Sequence, residues 1–116
     1  MKRDMDLIRL LLLQAEGEEP APDLSCYTEQ QQVYHSALTI EAGLVHGEII
    51  TDGDGQPRTT VTLRLTWKGH EFLDAARNET IWRKAAEKTK KAGIQVTMAV
   101  LEELLKKLLK EPLGLP

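Results

Sequence analysis

Residues 28–74 read TEQQQVYHSALTIEAGLVHGEIITDGDGQPRTTVTLRLTWKGHEFLD, and the order of caps, stops and alternations in this stretch decides the fold. Thr28, with Gln31 three residues later, makes a capping box, so a helix is predicted over Glu29–Ala42 with Gly43 as its left-handed stop. A strand follows over Leu44–Ile50, anchored by Ile49 with Val45 and Ile50 beside it. The loop Thr51–Arg58 is a tight acidic turn: Gly53 and Gly55 permit positive φ, and Pro57 limits pairing at the tip. In the second strand, Thr59–Leu65, the residues Val61, Leu63 and Leu65 alternate with Thr60, Thr62 and Arg64. That period of two predicts one buried face and one wet face. Thr66 then caps a new helix. Helix, β-hairpin, helix is the order of a winged helix.

The central helix divides into faces. Val33, Ala37, Ile40 and Leu44 form an apolar stripe flanked by Tyr34 and Leu38, while Gln30, Gln31, His35, Ser36 and Thr39 fall on the polar sides. Upstream, a helix is predicted over about Asp4–Glu16, capped by Asp4 and ended by Gly17. Met5, Ile8, Leu12 and Ala15 mark its stripe, and Leu7 and Leu11 widen it. Leu10 and Leu13 lie outside, so this helix is expected to be apolar on more than one side. The acidic, proline-bearing run Glu18–Asp23 is a linker. Leu24–Tyr27 is too short for the second helix of a helix-turn-helix and is expected to be a short strand or loop in its place.

Downstream, the helix opening after Thr66 covers Trp67 to about Arg77, with Phe72, Leu73 and Ala76 inward. Gly69 stands in that helix at a cost of about 1 kcal/mol relative to alanine, which implies that another element approaches closely there. Asn78 or Thr80 starts a further helix that ends at Gly93. Thr97 caps the last, Met98–Lys110, whose Val100-Leu101, Leu104-Leu105 and Leu108-Leu109 pairs form a broad stripe. That stripe has two readings: completion of the domain's own core, or a homodimer seam. The tail EPLGLP is expected to stop the helix. The fold class is therefore α+β, a winged helix with a reduced second helix. It forms a single domain over 1–116, with a core over 1–77, a wing over 44–65 and a C-terminal helical extension over 78–116.

Composition bounds the function. The 116 residues carry 15 basic and 18 acidic groups, net −3, which argues against a general polyanion binder. Residues 1–43 hold three basic and eight acidic groups (−5), 44–77 four and five (−1), and 78–116 eight and five (+3). The basic excess thus lies far from the central helix. A single cysteine, Cys26, excludes an internal disulfide and reads as a small buried apolar group on a strand. Lys2 and Arg3 ahead of a leucine run faintly suggest a signal peptide. Asp4, Asp6 and Arg9 interrupt that run, and it is too short to span a bilayer, so a cytoplasmic protein without membrane association is expected.

Four segments together are similar to a known family. The opening MKRDMDLIR (1–9), YHSALTIEAGLV (34–45), LTWKGHEFLDAARNETIW (65–82) and VLEELLKKLL (100–109) resemble a bacterial and prophage family labelled a domain of unknown function, family twenty-five-thirteen. The resemblance spans nearly the whole chain and implies a winged-helix fold and a phage or mobile-element setting. It carries no activity to transfer. The EAGLV and LTxxG pieces are similar, more broadly, to bacterial winged-helix regulators, where they mark the ends of the recognition helix and of the wing. This chain departs from those regulators in having little basic charge on either element.

Two functions fit these residues. In a DNA-binding regulator, Gln30, Gln31, His35, Ser36 and Thr39 would reach base edges from the central helix and Arg58 would hold phosphate from the wing. Against this, the central helix has no Lys or Arg, and phosphate neutralisation supplies much of the affinity for duplex DNA. In the alternative, the fold is a protein-interaction module that engages a host or phage protein. No enzyme is expected, because no nucleophile–base pair or phosphate-cradling loop is present. His35, His46 and His70 show no metal-ligand spacing, and the DGDG turn lacks the later ligands of a calcium loop, so no metal or cofactor is expected.

Overall fold

The computed structural model describes residues 1–93 and 97–110. Among them are five α-helices and one two-stranded antiparallel sheet, in the order α1 (Met5–Glu16), α2 (Glu29–Glu41), β1 (Val45–Thr51), β2 (Pro57–Leu65), α3 (Trp67–Ala76), α4 (Glu79–Ala92) and α5 (Met98–Lys110). The chain forms two compact units, Met1–Leu73 and the part from Asp74 onward, with α3 running from one into the other. The tail EPLGLP lies outside the described residues.

The caps form as local chemistry dictates. Asp4 accepts the Asp6 and Leu7 amides at the start of α1, and Gly17 closes it in the left-handed region. At α2, Gln31 donates its amide to Thr28 Oγ1 (3.0 Å) and its Oε1 accepts the Thr28 amide (2.8 Å), the reciprocal capping box. Asn78 and Gly93 bound α4, and Thr97 accepts the Val100 amide at α5.

Three corrections concern the first unit. For Leu24–Tyr27 the loop alternative holds, as a turn closed by the Tyr27 amide on the Leu24 carbonyl (3.0 Å), and the strand placed under Cys26 is absent. The Gln32 side chain donates to both the Leu24 and Tyr27 carbonyls, taking up groups a strand would have paired. The hydroxyl and amide of Ser25 engage Asp23 and hold its carboxyl below the usual carboxylate range. Cys26 sits in this turn exposed, not buried.

The second correction is the face of α2. His35 is 1% exposed and Thr39 3%, whereas Val33, Tyr34, Leu38 and Ile40 are only half-buried. α2 is packed by α1 and by the ribbon, so it has no fully polar open side. His35 can be inside because both ring nitrogens are satisfied. The Asp4 amide donates to Nε2 (2.8 Å), which leaves the proton on Nδ1 to donate to the Gln31 carbonyl (2.8 Å). Thr39 donates its hydroxyl to the Ser36 carbonyl (2.6 Å).

The third is the ribbon. Val45 pairs with Leu65 and His46 with Arg64, but Gly47 pairs with Thr62 and Glu48 with Val61, so Leu63 is an extra residue in a β-bulge. One inserted residue moves every later side chain to the other face. Leu65 is therefore buried beside Val45, while Val61 and Leu63 are exposed. Across the bulge the expected single apolar face does not exist.

The segment 42–44 and the segment 66–69 are locked together. Thr66 donates its amide to the Leu44 carbonyl (2.9 Å) and its hydroxyl to that of Gly43 (2.6 Å), and it accepts the Gly69 amide (2.9 Å). Lys68 reaches the Ala42 carbonyl (3.3 Å), a cation on the C-terminal carbonyls of α2. Gly69 lies against the Leu44 carbonyl with no room for a Cβ, which is the close approach its sequence position implied. The core of this unit is Leu7, Ile8, Leu11, Leu12, Ala37, Leu44, Val45, Leu65, Phe72 and Leu73.

In the second unit α4 packs on α5, and Ile81, Trp82, Ala85, Leu101, Leu105 and Leu108 are buried. The central line of the α5 stripe is thus used within the chain. That does not favour a dimer seam built on it. Val100 alone among the described α5 residues is a large exposed hydrophobic.

Candidate functional site

The six residues considered for base or phosphate contact do not converge on one open surface. Gln30 is exposed near the start of α2, and Arg58 is exposed just after Pro57 on the ribbon. Gln31 is half-buried with its side chain engaged in the capping box. His35 and Thr39 point into the unit, and their hydrogen bonds are internal. Ser36 and Thr39 line a cleft of about 260 Å³ with Leu11, Gln14, Val45 and Thr62, between α1, α2 and the ribbon. A recognition helix needs these side chains free to reach bases. Here His35 bonds the start of α1 and Thr39 faces the cleft against α1.

A second cleft, of about 460 Å³, is lined by Lys2, Arg3, Asp4, Tyr27, Gln31 and His35. Burial, with the charge of Asp4 nearby, raises the Tyr27 phenol above its usual range. The three histidines are dispersed over α2, β1 and α3. Nδ1 of His70 lies 3.7 Å from the Glu16 carboxylate at the surface. Among the described residues no group of three or more His, Cys, Asp or Glu could hold a metal ion, and no helix is long and apolar enough to cross a membrane.

Sequence reasoning missed the outer face of the ribbon. On β1 it carries His46, Glu48 and Ile50, and on β2 Thr59, Val61 and Arg64, with the bulged Leu63 among them. Ile50 and Val61 are each 45% exposed and Leu63 67%; Trp67, two residues past β2, is 81% exposed. Single exposed apolar side chains need no explanation, but a cluster on a two-stranded face marks a contact surface. The signal that could have found it is Gly47, since a glycine inside a strand often marks a bulge or close approach. Both hold: a Cβ there would meet the Val61 carbonyl and would lie 3.1 Å from Cδ1 of Ile40.

Charge separates with the units. Residues 1–73 hold six basic and twelve acidic groups, net −6, and residues 74–116 hold nine and six, net +3. The helical and ribbon surfaces of the first unit therefore sit in a negative field.

Residues 2–95 match the family described as "Hypothetical protein (DUF2513)". The chain belongs to that family. An uncharacterized protein of Haemophilus influenzae is similar to it, 29% identical over 98% of this chain and 100% of the relative. No solved structure matches. The hydrogen-bonded lock just described falls inside the DUF2513 match, at Ala42–Leu44 and Thr66–Gly69.

Proposed function

We propose that this chain is a non-catalytic protein-contact module on a winged-helix-like core, with the outer face of the β1–β2 ribbon as its contact surface. The observation that carries this reading is an inversion. Val61 and Leu63 stand in solvent, while His35 and Thr39, the residues suited to base contact, are inside. The negative charge of the first unit supports the same reading, because duplex affinity depends on neutralising several phosphates. The DNA-binding reading retains Gln30 and Arg58, both exposed, as its available groups.

The test runs both readings together. The chain is titrated with duplex fragments at low salt, and partners are captured from cell lysate with and without nuclease. The protein-contact reading expects no mobility shift, and a partner that survives nuclease but is lost from Leu63→Lys. A shift that weakens steeply with salt and is lost with Arg58→Ala would replace it with duplex binding.

A further inference from the structure

We infer that the outer face of the ribbon pairs with the same face of a second copy of this chain; the inference rests on the protein-contact reading and names its partner. Three observations meet on this face. Ile50, Val61 and Leu63 give it an exposed aliphatic centre. Glu48, cross-strand from Val61, and Arg64, cross-strand from His46, project from the same side of the sheet. Both charges are exposed, and neither carries an ion pair within the described residues. A face with Val61 and Leu63 beside one unpaired acid and one unpaired base, set diagonally across the two strands, is complementary to itself. In an isologous contact, residue i meets residue j and j meets i. A two-fold axis through the Val61 region places Glu48 of each copy against Arg64 of the other and buries Val61 and Leu63 between them.

The area decides the strength. Two short strands offer a face at the small end of association surfaces, so the dimer is weak and forms as concentration rises. The mixed signs decide the partner. A uniformly acidic or basic partner would satisfy one of these charges and repel the other, whereas a second copy satisfies both.

The experiment is sedimentation equilibrium of the full chain over a dilution series. Reductant is present throughout, so that the exposed Cys26 cannot cross-link copies. Far-UV circular dichroism confirms that each variant is folded. The wild type is expected to dimerise reversibly, and Leu63→Lys to be monomeric. Glu48→Arg and Arg64→Glu should each weaken the dimer at least about tenfold, consistent with loss of close charge pairs. An equimolar mixture of the two single variants should recover it, because each now complements the other but not itself. The double variant should recover it as well. A wild type that stays monomeric at every concentration overturns the inference, and so does a dimer indifferent to residues 48, 63 and 64. A photo-crosslinking amino acid at position 63 then separates the two proposals. With a monomeric chain, a crosslink to a different polypeptide leaves the protein-contact reading standing and overturns only the second copy as partner. No crosslink at all overturns both.

Discussion

Replacing Gly69 by alanine sets two effects of opposite sign against each other. Gly69 lies inside α3, where alanine would favour the helix by about 1 kcal/mol through reduced backbone entropy. The added Cβ would, however, run into the Leu44 carbonyl oxygen and stand 2.9 Å from its carbon. Leu44 cannot withdraw freely. Its carbonyl accepts the Thr66 amide, the neighbouring Gly43 carbonyl accepts the Thr66 hydroxyl, and Lys68 holds Ala42. Moving α3 away stretches bonds worth about 1 kcal/mol each, on top of an overpacking cost of about 1–3 kcal/mol. The net expectation is a loss of about 2–3 kcal/mol, a fall in Tm of about 10 °C or more for a unit of this size. The assay is urea and thermal unfolding followed by far-UV circular dichroism. Hydrogen exchange at the β1–β2 amides would place the loss in the first unit. Gly53→Ala is the control: no atom lies within 4 Å of a Cβ there, so its effect should stay within about 0.5 kcal/mol. A Gly69→Ala chain as stable as the wild type, or more stable, would refute the close approach and the lock built on it.

Other perturbations follow from the same contacts. His35→Leu keeps the volume but leaves the Asp4 amide without its acceptor and removes the second bond to the Gln31 carbonyl, and should cost about 1–3 kcal/mol by urea melt, whereas the exposed Gln30→Ala should change little. Thr66→Val removes the hydroxyl that both donates to Gly43 and accepts from Gly69, and should cost about 1–2 kcal/mol, with Thr66→Ser restoring most of it. Thr28→Ala breaks the capping box and should cost about 1 kcal/mol, read as earlier exchange of the first-turn amides of α2.

The elements themselves were legible from local chemistry, because caps and stops act over three or four residues. Thr28 and Gln31, Gly17, Gly43, Asn78, Gly93 and Thr97 all mark the ends at which helices begin or finish. The reason for Gly69 was legible too, since an unfavourable glycine inside a helix needs a compensating close contact. Burial was less legible, because it depends on partners distant in the chain. Periodicity put His35 on a polar side of α2, and nothing near it reveals that the Asp4 amide, 31 residues earlier, would supply its acceptor nitrogen with a donor. Alternation put Val61 and Leu65 on one face, and alternation assumes an unbroken ladder.

That assumption is what links the fold to the proposed role. An unbroken ribbon would place Val61, Leu63 and Leu65 together, and a two-stranded sheet could cover all three only against its own helices. The bulge at Leu63 divides them: Leu65 goes with Val45 into the core, and Val61 is delivered to the opposite side. Bulges occur where a sheet must re-aim a side chain. Here re-aiming places aliphatic groups in water at a cost of about 25 cal/mol per Å² of apolar surface left exposed, a cost that covering the face would recover. A ribbon serving only as a DNA wing has no use for such a face, since its work is done by basic groups at the tip, and this tip offers Arg58 beside Asp52 and Asp54. Deleting Leu63 makes the argument testable. The shortened strand would restore simple alternation with Thr62 still opposite Gly47 and Val61 still opposite Glu48, so the outer face should lose Leu63 alone and keep Val61. A deletion variant that folds, yet exposes as much apolar surface to a hydrophobic dye as the wild type, would show that Leu63 is not part of this face.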